Sequence, residues 1–327
     1  MDKNRVLSGA RPTGALHLGH YWGTLLNWVE LQKDYQCFYF VADWHALTTE
    51  FERPEIIRPS IAEMVMDWLA VGLDPDESVL FIQSSVKEHA ELYLLLGMMA
   101  SVARLERVPS YKQFQEETGR DLSTYGFLGY PVLMSADILM YRSHAVPVGE
   151  DQLAHVELAR EFARRFNGLY NEVFPEPEAL LTEASRVPGT DGRKMSKSYG
   201  NAIYLAEDPD SIARKIKTMM TDPARQRRTD AGDPEVCPVY DLHRLYSEHE
   251  TLMWAADGCR SAGIGCIECK NALTPRIVDS LSPVREKRSY YQKHPDKITA
   301  VLEAGNKKAR DFAEKTMDMV RQAMKMA

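Results

Sequence analysis

Two short segments, far apart in the 327-residue chain, have the makings of a phosphate grip: His17-Leu18-Gly19-His20 and Lys194-Met195-Ser196-Lys197-Ser198. The first follows Val6-Leu7, a short apolar run that gives way to Ser8-Gly9 and Pro12-Thr13-Gly14. That order reads as a strand, a turn and the start of a helix. Leu16, Trp22, Leu25, Leu26 and Val29 recur at helical spacing. His17 and His20 are therefore expected in the first helical turn, at i and i+3 on one face. Helix N-termini carry unpaired N–H groups and partial positive charge, so anions collect there. Gly19 keeps a side chain out of the path of a nucleotide. The second segment follows Pro188-Gly189-Thr190-Asp191-Gly192-Arg193, a run of turn formers that reads as a loop. Lys194 and Lys197 on such a loop can close over a pyrophosphate and neutralise developing charge, with Ser196 and Ser198 as hydroxyl donors. No covalent nucleophile is involved. Each segment alone also fits an ordinary solvated surface; the two together point to the triphosphate of ATP.

The elements that would carry these segments follow from the patterning of the first half. Residues 37–42 and 78–82 read as buried strands, and residues 55–71 and 88–104 as helices. Such alternation predicts an α/β fold, a Rossmann-like parallel sheet with helices on both faces. Ligands of these sheets bind beyond the carboxyl ends of the strands, which is where the histidine segment falls. After Asn201 strand signals fade and helical patterning runs to Met324. The expected organisation is a catalytic domain over 1–201 and an all-helical domain over 202–327. The last helix, residues 306–324, is free to pack back on the first domain.

Composition is that of an ordinary globular protein, 44% hydrophobic and 27% charged. No apolar segment follows the N-terminal residues as in a signal peptide, and the longest apolar stretch, residues 92–103, is too short to span a membrane. A cytoplasmic protein is expected. The formal net charge is −7, but its distribution matters more than its sum. Arg214, Lys215, Lys217, Arg225, Arg227 and Arg228 form one basic cluster, Arg285, Lys287, Arg288 and Lys293 a second, and Lys307, Lys308 and Arg310 a third, all in the C-terminal part. Solvated helix faces look the same; next to an ATP site, the first cluster is the better candidate for RNA contact.

The two signature segments resemble the HIGH and KMSKS motifs of class I aminoacyl-tRNA synthetases. Ser8-Gly9-Ala10-Arg11-Pro12-Thr13-Gly14, Tyr130-Pro131-Val132-Leu133-Met134-Ser135-Ala136-Asp137-Ile138 and Val148-Gly149-Glu150-Asp151-Gln152 look like the bacterial type of tryptophanyl-tRNA synthetase. The likeness runs from Val6 to the C-terminal helix. It implies activation of L-tryptophan with MgATP and transfer to the 3′ end of tRNA(Trp), by a homodimer. His17, His20, Lys194, Lys197 and Lys112 would be catalytic. ATP would meet Arg11, Pro12, Thr13, Gly19, His20, Gly149, Glu150, Asp151, Val187, Lys194, Met195, Ser196, Lys197 and Ser198. Tryptophan would meet Asp137, Gln152, Met134, Tyr130 and His45. Asp137 would accept the indole N–H, a pairing that suits a donor-only ring and an acceptor-only carboxylate. Without the resemblance, Asp137 reads as a surface carboxylate and Lys112 as a loop lysine. Many bacterial relatives have Thr-Ile-Gly-Asn at residues 17–20 and Gln at position 11; both departures suggest a subgroup with the same chemistry. A tyrosyl-tRNA synthetase, a non-charging RNA-binding paralogue and a small adenylate-forming ligase are the alternatives.

Of five cysteines, Cys37 sits in an expected strand and reads as a small apolar residue. Cys237, Cys259, Cys266 and Cys269 cluster, which in a cytosolic protein argues metal ligation over disulfides. Their spacing resembles a [4Fe–4S] motif of a tryptophanyl-tRNA synthetase subgroup, one residue shorter in the first gap. A four-thiolate structural zinc site is the competing assignment, followed by free thiols.

Overall fold

A computed structural model describes residues 3–109, 124–181 and 187–326. Five strands, β1 Arg5–Ala10, β2 Gln36–Val41, β3 Ser78–Ile82, β4 Ala145–Val148 and β5 Glu178–Leu181, form one sheet in the order β3-β2-β1-β4-β5. Every pairing is parallel. The chain builds outward from β1 in one direction, then crosses back to build β4 and β5 on the other side. That reversal between β1 and β4 is a topological switch point, where open α/β sheets bind ligands.

The helices are α1 Leu26–Asp34, α2 Asp43–Glu50, α3 Ile57–Val71, α4 Glu88–Gly97, α5 Val102–Leu105, α6 Tyr125–Met140 and α7 Leu153–Leu169, followed by α8 Pro209–Thr218, α9 Pro238–Tyr246, α10 His249–Arg260, α11 Cys266–Lys293 and α12 Pro295–Ala323. The expected helix over 88–104 is two, separated at residues 98–101. The expected helix after Leu16 begins only at Leu18, makes a single turn to His20 and passes into a π-turn, Tyr21–Leu25, before α1.

Strand residues alternate between two cores, as a pleated strand requires. Val6, Cys37, Tyr39, Val41 and Leu80 join a cluster with Met64 and Trp68 of α3 and with Leu273 and Ile277 of α11. Leu7, Phe38, Phe40 and Phe81 join another with Ile138 of α6, Phe162 of α7 and Ala309 and Met317 of α12. The C-terminal helices thus share continuous core with the sheet. At the sheet edge, Asn306 Oδ1 of α12 accepts a hydrogen bond from the Ile82 backbone N–H at 2.8 Å, covering a strand edge that would otherwise be open.

Gly305 makes that approach possible. A Cβ there would lie 1.8 Å from the Leu80 carbonyl oxygen. In an exposed helix Gly→Ala stabilises by about 1 kcal/mol. Here the sign reverses: Gly305→Ala is expected to destabilise by about 3 kcal/mol through overpacking. Thermal unfolding followed by circular dichroism checks this, and a raised Tm would contradict it.

Candidate active site

The two signature segments are held together by backbone. Leu18 N–H donates to Ile203 O (3.0 Å) and Leu205 N–H to Leu16 O (3.0 Å), so the strand-like tail of the lysine loop runs antiparallel to the histidine segment. Lys197 Nζ donates to Gly14 O at 2.9 Å. Met195 is buried, and its backbone N–H donates to Val187 O at 3.1 Å. Asn201 ties the loop together: its Oδ1 accepts from Ser196 N–H (2.8 Å), and its Nδ2 donates to Asp191 Oδ1 (2.7 Å) and Lys194 O (3.2 Å). Lys194 and Ser198 are exposed at the surface of this loop.

His17 and His20 lie side by side, as expected, with ring centroids 3.9 Å apart, but His17 stands just before the helical turn rather than inside it. His17 is the N-cap: its Nδ1 accepts from Gly19 N–H at 3.1 Å, while His20 Nδ1 accepts from His17 N–H at 3.2 Å. This reciprocal cap fixes both tautomers, because a ring nitrogen that accepts from a backbone N–H leaves the proton on Nε2. Burial pushes the His17 pKa down to about 4, with Lys197 adding to the shift. It pushes His20 down to about 3, with His17 and Lys197 adding. Both rings are neutral N–H donors at pH 7. Gly19 serves this packing first, since a Cβ would lie 2.9 Å from the His17 ring and 3.8 Å from Met195.

A cavity of about 390 Å³ opens at the switch point, within the usual 300–1,000 Å³ of small-molecule sites. Gly9 and Arg11 at the end of β1, and Val148 and Gly149 at the end of β4, line it. His45 of α2, Tyr130, Met134 and Asp137 of α6, and Gln152 complete the wall. Five residues from three separate stretches of sequence, those expected to meet tryptophan, thus line a single cavity. Pro12, Thr13, Glu150 and Asp151 are neighbours in sequence of that wall, and Gln152 Nε2 donates to Asp151 Oδ2 at 3.0 Å. Lys112 lies outside the described residues.

Asp137 is 1% exposed, so it is no surface carboxylate. Three side chains donate to it: His45 Nε2 to Oδ2 (2.8 Å), His89 Nδ1 to Oδ1 (2.6 Å) and Gln83 Nε2 to both oxygens (2.8 and 2.9 Å). Burial pushes its pKa up, but the hydrogen bonds from His45 and His89 outweigh that and hold it below the ordinary carboxylate value. An ionised carboxylate only accepts, so the His89 proton sits on Nδ1 and Nε2 accepts from Tyr141 O–H at 2.9 Å. Gln83 and His89 were not among the expected site residues. Gln83 closes the apolar strand β3 at its carboxyl end, a position that marks it in hindsight; His89 carries no such mark.

The basic clusters are partly consumed by the fold. Lys215 Nζ donates to Glu207 and to Ala202 O, Arg225 is buried against the Ile264 carbonyl, and Arg288 is buried against Asp67 and Glu63. Arg214, Lys217, Arg227 and Arg228 stay exposed. The four cysteines come from three places: Cys237 just before α9, Cys259 in α10, and Cys266 and Cys269 in the first turn of α11. They interact electrostatically with one another. Among the described residues, however, no group of three or more His, Cys, Asp or Glu side chains is arranged to hold a metal ion. Cys269 Sγ lies 3.3 Å from His243 Nε2 instead.

Comparison with known proteins agrees with this geometry. Residues 1–282 match the family of class I tRNA synthetases for tryptophan and tyrosine (W and Y). The chain is 53% identical to a tryptophan–tRNA ligase of Thermotoga maritima, covering 98% of this chain and 99% of the relative. It is 47% identical to another from Ralstonia nicotianae, covering 99% of each. Among solved structures it is similar to tryptophanyl-tRNA synthetase from Campylobacter jejuni complexed with ADP and tryptophan, at a TM-score of 0.88 and 33% identity, covering 98% of this chain and 99% of that one. The chain therefore belongs to the class I aminoacyl-tRNA synthetases, in the family of tryptophanyl-tRNA synthetases.

Proposed function

We propose that the chain, a tryptophan–tRNA ligase, forms tryptophanyl-adenylate in the cavity at the switch point and passes the acyl group to the 3′ end of tRNA(Trp). The observation that carries this is Asp137, an ionised acceptor in a cage of donors on the wall of a mostly apolar cavity. Its acceptor sites are fully used by His45, His89 and Gln83, four contacts in all. An indole N–H therefore has to replace one of them, and His45, the partner on the cavity wall, is the one within its reach.

The tryptophan carboxylate attacks the α-phosphorus of MgATP, and pyrophosphate leaves. No protein nucleophile is required, so catalysis rests on positioning and charge stabilisation. His17 and His20 donate from neutral Nε2–H groups. Lys197 and Lys194 supply positive charge to the leaving pyrophosphate, and Gly149 and Asp151 meet the ATP ribose. Gln152 and Tyr130 hold the tryptophan ammonium and carboxylate, and Met134 packs on the indole. Val187 packs on adenine, and Lys112 reaches a phosphate.

Lys197 gives this assignment a pH signature. Burial pushes its pKa down to about 8, Arg11 adds to the shift, and Asp67 opposes it. An amine is charged below its pKa, so kcat/KM for MgATP is expected to hold below pH 8 and fall about tenfold per unit above it. Lys197→Arg should shift that limb upward. A wild-type profile flat to pH 10 would contradict the role.

A division into a catalytic part, 1–201, and a tRNA-binding helical part, 202–327, fits the change from α/β to all-helical structure at the lysine loop. Arg214, Lys217, Arg227 and Arg228 supply an exposed basic face for tRNA. A homodimer is supported by exposed apolar side chains on neighbouring elements, Leu94 and Met98 at α4, Val102 of α5 and Tyr125 of α6. No helix among the described residues is long and apolar enough to cross a membrane, and a cytoplasmic site of action suits the substrates.

Cys237, Cys259, Cys266 and Cys269 supply thiols of the soft kind that a [4Fe–4S] cluster takes, or zinc in its place, although their side chains are not gathered around a metal position. Such a group would cross-link α9, α10 and α11 without entering the reaction. Anaerobic purification followed by iron, sulfide and zinc assays is expected to give four iron and four sulfide per chain. Zinc alone would replace the cluster, and neither would remove the metal.

A further inference from the structure

Asp67, in the C-terminal half of α3, is fully buried and stands where three parts of the molecule meet. Its Oδ2 accepts from Leu16 N–H at 3.3 Å, the residue next to His17. Its Oδ1 lies 3.1 Å from Arg288 Nε, which comes from α11 in the C-terminal part. It also attracts Lys197 electrostatically. Arg288 is itself 4% exposed and forms a second ion pair with Glu63. Arg288 is thus held between the buried Asp67 and the half-exposed Glu63.

The same stretch is gripped at two more points. Tyr21, in the π-turn after His20, has its hydroxyl beside Ser280 of α11, which opposes the rise that burial causes in its pKa. The Trp22 ring meets Tyr246 of α9 edge-on, with centroids 5.3 Å apart at 88°. π-turns cost backbone regularity and recur at functional sites. This one turns two aromatic side chains from the histidine segment toward the C-terminal helices.

We propose that Asp67 is a positioning residue for adenylation, holding the Leu16–His17 backbone and the resting place of Lys197, and that Arg288 keeps it in place from the C-terminal helices. One carboxylate then serves both phosphate-binding segments and ties them to the part that carries the basic face. At rest Lys197 is hydrogen-bonded to Gly14 O within the field of Asp67; in the complex the phosphates compete with that field for its charge. Arg288 sets the strength of that field by keeping Asp67 ionised: burial pushes the Asp67 pKa up to about 6, and Arg288 is the main group opposing that rise. Removing Arg288 alone therefore leaves Asp67 protonated and without hold on Lys197; removing Asp67 frees Lys197 and loosens the Leu16 backbone. This rests on the reading of Lys197 as a pyrophosphate ligand.

The test uses the full-length protein, with ATP–pyrophosphate exchange in the presence of tryptophan and MgATP binding by calorimetry. Asp67→Asn and Arg288→Gln are each expected to lower kcat/KM for MgATP about tenfold and leave KM for tryptophan within twofold, and Arg288→Lys to recover most of the loss. The double variant Asp67→Asn/Arg288→Gln keeps an acceptor for Leu16 and leaves no buried charge unpaired, so it folds even where a single variant does not. It is expected to match Asp67→Asn rather than to show the sum of two losses. A folded double variant with wild-type MgATP kinetics and binding overturns the proposal, as does an equal loss in KM for tryptophan and for MgATP. Absence of exchange in the wild type would count against the assigned function instead, and the calorimetric comparison would still decide the role of Asp67.

Discussion

Replacing Lys197 by alanine is expected to slow tryptophanyl-adenylate formation about 100- to 1,000-fold while tryptophan affinity changes less than threefold. The magnitude is that of removing one preorganised charge or donor from a transition state. The selectivity follows from placement. Lys197 is anchored to Gly14 O at the junction of the two signature segments and does not line the cavity that holds Asp137. Negative charge builds on the pyrophosphate as it leaves, so the ammonium is worth more in the transition state than in the ground state. Single-turnover adenylate formation, with tryptophan binding measured separately, checks both halves. Equal losses in rate and in tryptophan affinity would mean that the variant disturbs the fold.

Asp137→Asn is expected to cost more than a single hydrogen bond, about 3–5 kcal/mol in kcat/KM for tryptophan, or some 150- to 5,000-fold. The reason lies in the cage. His45, His89 and Gln83 all donate toward this position. An asparagine would set its own NH₂ group against one of those donors, leaving a buried clash as well as the lost acceptor. The indole N–H would lose its partner at the same time. Asp137→Asn should therefore lose tryptophan selectivity along with rate: phenylalanine, which has no N–H to satisfy, should fall far less. Exchange kinetics with both amino acids read this directly.

Much of this was legible in the chain. β2 and β3 are continuous apolar runs, as strands buried on both faces must be, and both signatures announced phosphate chemistry. β4 was not, because Pro147 within Ala145–Val148 argues against a central strand. The break between α4 and α5 escaped notice because the apolar pattern runs through it. Tertiary partners were the larger gap. The cage around Asp137 draws Gln83 from the end of β3 and His89 from α4. Arg288 reads as one more surface cation, yet it pairs with Asp67 across more than two hundred residues. Residues of that kind are set by the path of the backbone in space, and local pattern carries no trace of it.

ATP–pyrophosphate exchange measured in turn with tryptophan, tyrosine and phenylalanine tests most directly whether the Asp137 cavity selects an indole. Exchange with tryptophan is expected to exceed the other two by at least about a thousandfold in kcat/KM, since a buried acceptor left unpaired penalises the analogue without the N–H. Exchange with tyrosine alone, or with tryptophan and phenylalanine at similar rates, would contradict the assignment of Asp137.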